Sequence, residues 1–195
     1  MQEDFRLNLI KSYINNKEIL DFGPGDISDR YYAKYIKKYS KAYTAVELDK
    51  IRAKYLISKG FNVKIGNCEK IKLNKKFDII IAGDIIEHLD NPGIFLKNCK
   101  SHLKKGGKII INTPNAFGIN RIIMALLKLG NLKQHPEHTF LFTEQLLALL
   151  FKRHGLKTIK VIYFNDNSKN FKARFIKFFS KISKYYSENI MFILK

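Results

Sequence analysis

The stretch Ile19-Leu20-Asp21-Phe22-Gly23-Pro24-Gly25-Asp26 decides how this 195-residue chain is read. An apolar run ends in an acid and a Gly-x-Gly turn, and a helix-like stretch follows. Glycines in such a turn let the backbone approach a ligand closely, and the N-terminus of the next helix offers unpaired N–H groups. Alone, Gly-Pro-Gly is also an ordinary turn. The following apolar run, Tyr43-Thr44-Ala45-Val46-Glu47-Leu48-Asp49, gives it meaning. Glu47 stands 22 residues after Gly25. A strand-end acid at that spacing is placed to accept hydrogen bonds from both hydroxyls of a ribose. Turn and acid together point to an adenosine-containing cofactor in the crevice of an open sheet.

The pattern continues outward. Short Ile/Val-rich runs at Glu18–Phe22, Tyr43–Leu48, Asn62–Ile65, Phe77–Ala82, Lys108–Thr113, Lys157–Phe164 and Ile190–Leu194 read as strands. Most are apolar on both faces, as a buried parallel sheet requires. Helical stretches alternate with them at Asp29–Tyr39, Asp49–Ser58, Pro92–Leu103, Ile119–Leu129 and Glu144–His154, and Met1–Ile14 adds a helix at one edge. Thr143 is placed to cap the helix that Glu144 begins, and Gly60 and Gly155 to end helices. The predicted fold class is α/β: a doubly wound, mostly parallel seven-stranded sheet with helices on both faces, in one domain over 1–195.

Composition sets the bounds. Apolar residues at 46% and charged residues at 27% are globular values and exclude a disordered or fibrous chain. Two cysteines, Cys68 and Cys99, make neither a disulfide framework nor a CxxC zinc site, which suits a reducing compartment. The start, Met1-Gln2-Glu3-Asp4, is acidic where a signal peptide would be basic, and no apolar run is long enough to span a bilayer. The expected location is cytoplasmic. A net charge of +19 would suit a nucleic acid or an acidic membrane. Thirty of the 36 basic residues are Lys, however, and Arg, the residue suited to bidentate phosphate contacts, is scarce.

Two adenosine cofactors compete for the glycine turn. A nicotinamide site wants a third glycine where Ser28 stands. Asp21, immediately before the turn, would repel a pyrophosphate. It suits S-adenosylmethionine, which carries a positive sulfonium and an amino group. At this point the chain resembles the class I S-adenosylmethionine-dependent methyltransferases, particularly the small ubiquinone- and menaquinone-type group. Leu20-Asp21-Phe22-Gly23-Pro24-Gly25 looks like the family's cofactor loop and Val46-Glu47 like its ribose-binding acid. Gly66-Asn67-Cys68-Glu69 looks like the segment framing the adenine. Phe77-Asp78-Ile79-Ile80 with Asp84-Ile85-Ile86-Glu87-His88-Leu89 looks like its fourth strand and loop, and Leu103-Lys104-Lys105-Gly106-Gly107-Lys108 like the turn into its fifth. His138-Thr139-Phe140 looks like a late segment near the substrate. The sequence departs from the family at Ile27, where a third glycine is usual, and at Asn67, where Asp is usual. Asn67 could still accept the adenine amino group through its carbonyl oxygen.

The resemblance implies methyl transfer to a small-molecule, glycan or lipid-linked acceptor, with Asp21, Gly23, Gly25, Glu47, Asn67, Cys68 and Gly83 around the cofactor. Cys68 would act through its backbone and apolar body. Methyl transfer from a sulfonium is an in-line displacement with a good leaving group, so alignment outranks any single base. Glu87, His88 and His138 are the catalytic candidates, since a neutral imidazole can take a proton from a hydroxyl. The structural alternative for His88 is a contact that holds its loop, with Glu87 capping the next helix. For His138 it is a solvated loop residue. His102 and His154 read as surface or packing residues. The site is read without a metal. The alternative stays open that Glu87, His88, His135 and His138, which resemble the metal-binding pattern of small-RNA 2′-O-methyltransferases, bind Mg²⁺, Mn²⁺ or Zn²⁺.

The segment Ser168–Tyr186 is basic and amphipathic. Phe171, Phe175, Phe178, Phe179, Ile182, Tyr185 and Tyr186 lie largely on one helical face and lysines on the other, with no acid from Asn167 through Ser187. It reads either as a crossover helix packing an aromatic stripe on the sheet or as a peripheral membrane contact. Nucleic acid is the less favoured partner. Two further functions remain open at this level: an RNA methyltransferase, and an interaction module on a decayed methyltransferase fold.

Overall fold

The computed structural model describes residues 5–24, 30–127, 137–165 and 171–195. Gly25, Ile27, His135 and the start of the basic segment at Ser168 lie outside the described residues. Along the chain run α1 (Phe5–Ile14), β1 (Glu18–Phe22), α2 (Arg30–Tyr39), β2 (Ala42–Glu47), α3 (Lys50–Ser58), β3 (Val63–Ile65), β4 (Phe77–Gly83) and a 3-10 turn at Ile86–His88. After them come α4 (Pro92–Ser101), β5 (Leu103–Pro114), α5 (Ile119–Leu126), α6 (Glu144–Arg153), β6 (Thr158–Phe164), α7 (Phe171–Ile182), a second 3-10 turn at Lys184–Tyr186 and β7 (Asn189–Leu194).

The seven strands form one sheet in the order β3-β2-β1-β4-β5-β7-β6. Strands β1 to β5 pair in parallel, and β7 runs antiparallel between β5 and β6. The expected doubly wound, mostly parallel sheet is what forms. Strand alternation divides its core into two layers. Leu20, Ile80, Ile109 and Phe192 face α4 and α6, whereas Ile19, Ile79, Ile110 and Met191 face α1, α2 and α3. All eight are at most 3% exposed, which is why these strands read as continuous apolar runs.

The caps follow the local chemistry. Asp49 accepts from Ile51 and Arg52 N–H at 2.7 and 3.0 Å, Asn91 accepts from Ile94 N–H just before Pro92, and Thr143 caps α6 as expected. Glu87 does not cap α4: that role belongs to Asn91. One helix departs from the usual packing. In α7 only Ile176 is buried among the side chains described, and Phe175, Phe178 and Ile182 are exposed rather than packed on the sheet.

Candidate functional site

The strand order reverses at β1. This strand sends its chain to β2 on one side and pairs with β4 on the other, where Phe22 lies beside Ala82. In open α/β sheets a ligand crevice opens beyond the carboxyl ends of the strands at such a switch point. Gly23 lies there with φ +60°, its N–H bonded to Val46 O at 2.9 Å. A Cβ on Gly23 would come within 2.2 Å of Ile85 Cδ1. Ile85 roofs the turn, and its Cδ1 would have to move aside for any side chain beneath it.

Two connected hollows open around Gly23, Glu47, Leu48, Ile85 and His88, which line both. The smaller, about 190 Å³, continues past Val46, Gly66, Asn67, Cys68, Glu69, Leu89 and Asp90. The larger, about 640 Å³, continues past Arg6, Asp21, Tyr32, Gly83, Asp84, Glu137 and His138. The structure brings the sequence candidates Asp21, Gly23, Glu47, Asn67, Cys68, Gly83, His88 and His138 to this one crevice, and the buried Glu87 lies against His88 and His138.

Two acids, Asp21 and Glu47, flank the Gly23 turn, and Arg6 and Arg52 also line the larger hollow. Asp21 is 2% exposed, and Tyr43 Oη donates to its Oδ2 at 2.6 Å. Burial pushes the Asp21 carboxyl up to about 7. The Tyr43 hydrogen bond opposes this shift, and the nearby Glu47 charge adds to it. Glu47 ends β2 and accepts from Asp49 N–H at 2.9 Å, which fixes its carboxylate at the lip between the two hollows. Two acids and a glycine turn disfavour a pyrophosphate and fit a cationic adenosine ligand with ribose hydroxyls.

In the wall of the smaller hollow, Asn67 Oδ1 accepts from Glu69 N–H at 2.7 Å, which shapes the turn and leaves the oxygen its second lone pair. Short polar side chains favour such local bonds with the backbone. The Cys68 carbonyl accepts from Asn98 Nδ2 at 2.8 Å, and burial pushes its thiol up to about 12, in keeping with an apolar wall and no nucleophile. Glu69 Oε1 accepts from Asn91 N–H and ties this wall to the start of α4.

At the far end Gly83 abuts Asn112, whose Oδ1 would be 3.1 Å from an added Cβ. Asp84 follows with φ +52°, held by its N–H to Asn112 O at 3.0 Å and by Asn112 Nδ2 to its Oδ1 at 2.9 Å. Arg6 of α1 reaches the same acid at 3.5 Å and lies 5.0 Å over the Tyr32 ring. Glu87 is 1% exposed. Its Oε2 accepts from Thr113 Oγ1 at 2.9 Å, and its Oε1 has no hydrogen-bond partner among the described residues. Burial, reinforced by the Asp84 charge, pushes the Glu87 carboxyl up to about 8.

His88 and His138 meet edge to face, with ring centroids 4.5 Å apart. The backbone brings them together. Thr139 and Phe140 N–H both bond Glu87 O, at 2.9 and 3.1 Å. His88 Nδ1 lies 3.1 Å from Glu137 O. A carbonyl only accepts, so Nδ1 is the donor in this contact. One ligand atom each from Glu87, His88 and His138 lie within 4.8 Å of one another, a spacing that could hold a metal ion. His102 has a structural role: its Nε2 accepts from Leu73 N–H at 2.8 Å, and it lines neither hollow. The residues around the crevice to which sequence reasoning gave no role are Arg6, Tyr43 and Asn112, and each arrives through tertiary pairing.

Comparison with known proteins agrees with this architecture. The profile of the methyltransferase-domain family matches residues 3–161. The ubiquinone biosynthesis O-methyltransferase of Bradyrhizobium diazoefficiens is 38% identical over 47 residues, which are 24% of this chain and 19% of that protein. The protein of the same name from Pelagibacter ubique is 27% identical over 199 residues, covering 90% of this chain and 81% of the relative. A crystal structure of an S-adenosylmethionine-dependent methyltransferase from Archaeoglobus fulgidus shares the fold with a TM-score of 0.70 at 19% identity, covering 97% of this chain and 91% of that one.

Proposed function

The chain belongs to the methyltransferase-domain family, and from that premise we propose that it moves the methyl group of S-adenosylmethionine to a hydroxyl of a small or lipid-linked acceptor. The observation that carries this reading is the pairing of Asp21 and Glu47 on either side of the Gly23 turn, at the switch point of the sheet. When bound, the donor supplies an electrophilic methyl on a sulfonium. The donor would leave as a neutral thioether with the C–S electron pair as the acceptor oxygen takes the methyl.

The chain's own residues orient and deprotonate. Glu47 is placed for the ribose hydroxyls and Asp21 for the amino group. Gly23 and Gly83 keep side chains out of the path. His138, over His88 and stapled to the Glu87 carbonyl, is placed to take the acceptor's proton. Holding the two reactants in line can contribute about 7–11 kcal/mol, so the cradle outweighs the base. The two relatives named above are ubiquinone biosynthesis O-methyltransferases, which supports oxygen as the acceptor atom.

Thermal unfolding with S-adenosylhomocysteine, and with NAD⁺ as control, tests the reading. A ligand at 100 times its Kd adds about 2.7 kcal/mol, or roughly 5–10 °C in Tm for this chain length. A shift with the homocysteine compound alone is expected. A shift with NAD⁺, or with neither, would reject it.

One observation favours a second reading, in which a divalent cation assists. Glu87 Oε1 is buried beside His88 and His138 and has no hydrogen-bond partner among the described residues. Carboxylate and imidazole donors suit Zn²⁺ or Mn²⁺, which would lower the pKa of an acceptor hydroxyl. Calorimetric titration with Mn²⁺ and Zn²⁺, on the chain and on Glu87→Gln, separates the two readings.

A further inference from the structure

A crossover helix between two strands is expected to bury its apolar stripe on the sheet. α7 does not. Ile176 is 2% exposed, but Phe178 is 61% and Ile182 64% exposed, and Phe175 joins them at i, i+3 and i+7 spacing on one outward face. Along the flank of that face run Arg174, Lys177 and Lys181, and Lys184 follows in the next turn. No acid occurs from Asn167 through Ser187. α5, which packs against α7, leaves Leu126 and Leu127 exposed at its end. Large apolar side chains bordered by cations of one sign are thus held in water on an already folded scaffold.

We propose that the outward face of α7 docks on an anionic phospholipid bilayer. An interfacial helix places aromatic and aliphatic side chains at the acyl boundary and its cations on the lipid phosphates, and α7 offers both along neighbouring arcs. Lys and Arg stems can lie along the apolar boundary while their heads stay in water. A second copy of the chain would bring the same positive arc against itself at a net charge of +19. A nucleic acid would engage the cations but leave Ile182 in water, since an aliphatic side chain is no stacking platform. The bilayer is the partner that satisfies both arcs. The docking is independent of the methyl-transfer reading, because it uses residues outside the crevice and is measured without the methyl donor.

The full chain is sedimented with phosphatidylcholine vesicles and with vesicles carrying about 30% phosphatidylglycerol, whose negative surface potential should attract the lysines. Retention on the anionic vesicles is expected, at least about tenfold stronger than on the neutral ones. Lys177→Glu/Lys181→Glu and, separately, Phe178→Ser/Ile182→Ser should each weaken it by about tenfold or more, with Tm within about 2 °C of the parent, since the sites are surface positions. Failure to sediment with anionic vesicles overturns the proposal. So does retention unchanged in either folded variant. Dimers that the Phe178→Ser/Ile182→Ser change dissolves would assign the face to self-association instead. Salt-steep binding of bulk RNA with indifference to vesicles would assign it to nucleic acid.

Discussion

Tyr43 Oη donates a 2.6 Å hydrogen bond to Asp21 Oδ2 across neighbouring strands, and both residues are buried. The register explains the contact. Tyr43 lies opposite Ile19 and Asp21 opposite Ala45, so the two side chains are diagonal neighbours on one face of the sheet. This bond is the main influence holding the Asp21 carboxyl down against its burial. Tyr43→Phe should therefore raise that pKa further. The affinity for S-adenosylhomocysteine, which needs the carboxylate, should then develop at higher pH. Calorimetry across pH 6–9 should find the midpoint moved up by about one unit, and an unmoved midpoint would show that Asp21 does not meet the ligand's charge.

Asp21 also ties stability to pH. Its folded pKa of about 7 lies above the model-peptide value, so between the two the folded chain binds more protons than the unfolded one. The stabilisation is full below the unfolded pKa and is lost as pH rises through about 7. Asp21→Asn keeps a buried acceptor for Tyr43 and cannot ionise. Without ligand it should be more stable than the parent at pH 8, on the order of 1–4 kcal/mol, with the gain shrinking toward pH 5. The same variant should lose ligand affinity. Denaturant unfolding at the two pH values checks the first part, and equal differences at both would contradict it.

How far the sequence spoke depends on the range of the contact. The β1 run, the glycine turn and Glu47 are local patterns with a period and a spacing, and the sheet assembled around them as those patterns predict. Helix starts at Asp49, Pro92 and Glu144 were legible for the same reason, because a cap is a few residues long. The meeting of His88 with His138 rests on two backbone bonds from Thr139 and Phe140 to Glu87, and backbone bonds across 50 residues leave no mark in residue type. Arg6 reaches Asp84 through the packing of α1 on the sheet, again without a motif. The bond from Glu69 N–H to the Asn67 carbonyl, two residues apart, is a local turn contact that the residue types alone did not single out. In α7 the amphipathic pattern was plain, but the pattern alone could not say which arc faces water.

Gly23 is held by two independent demands, a φ of +60° and Ile85 Cδ1 at 2.2 Å from any Cβ. Gly23→Ala should cost about 2–4 kcal/mol from the left-handed backbone and the overpacking together. Ile85→Ala on top of it removes the clash but not the dihedral strain. The double variant should therefore recover about 1–2 kcal/mol relative to the sum of the single changes. Denaturant unfolding of the four proteins measures the coupling. Strict additivity would mean that Ile85 moves aside freely and does not roof the turn.

His138 is stapled in place by its neighbour: Thr139 bonds Glu87 O through both its N–H and its hydroxyl, at 2.9 and 3.1 Å. The imidazole is thereby carried to the edge of His88 without belonging to the strand ends that hold the cofactor cradle. A base and a cradle that are structurally separate should fail separately. His138→Ala should lower the methyl-transfer rate by about 10²–10⁴, the usual worth of a general base, and leave S-adenosylhomocysteine affinity within about twofold. Thr139→Val removes the hydroxyl bond but keeps the backbone one, so its rate loss should be smaller. Glu47→Ala should show the opposite split, with affinity lost first. Single-turnover rates paired with calorimetric affinities resolve the three variants, and a His138→Ala protein that loses affinity as much as rate would place that side chain in the cradle instead.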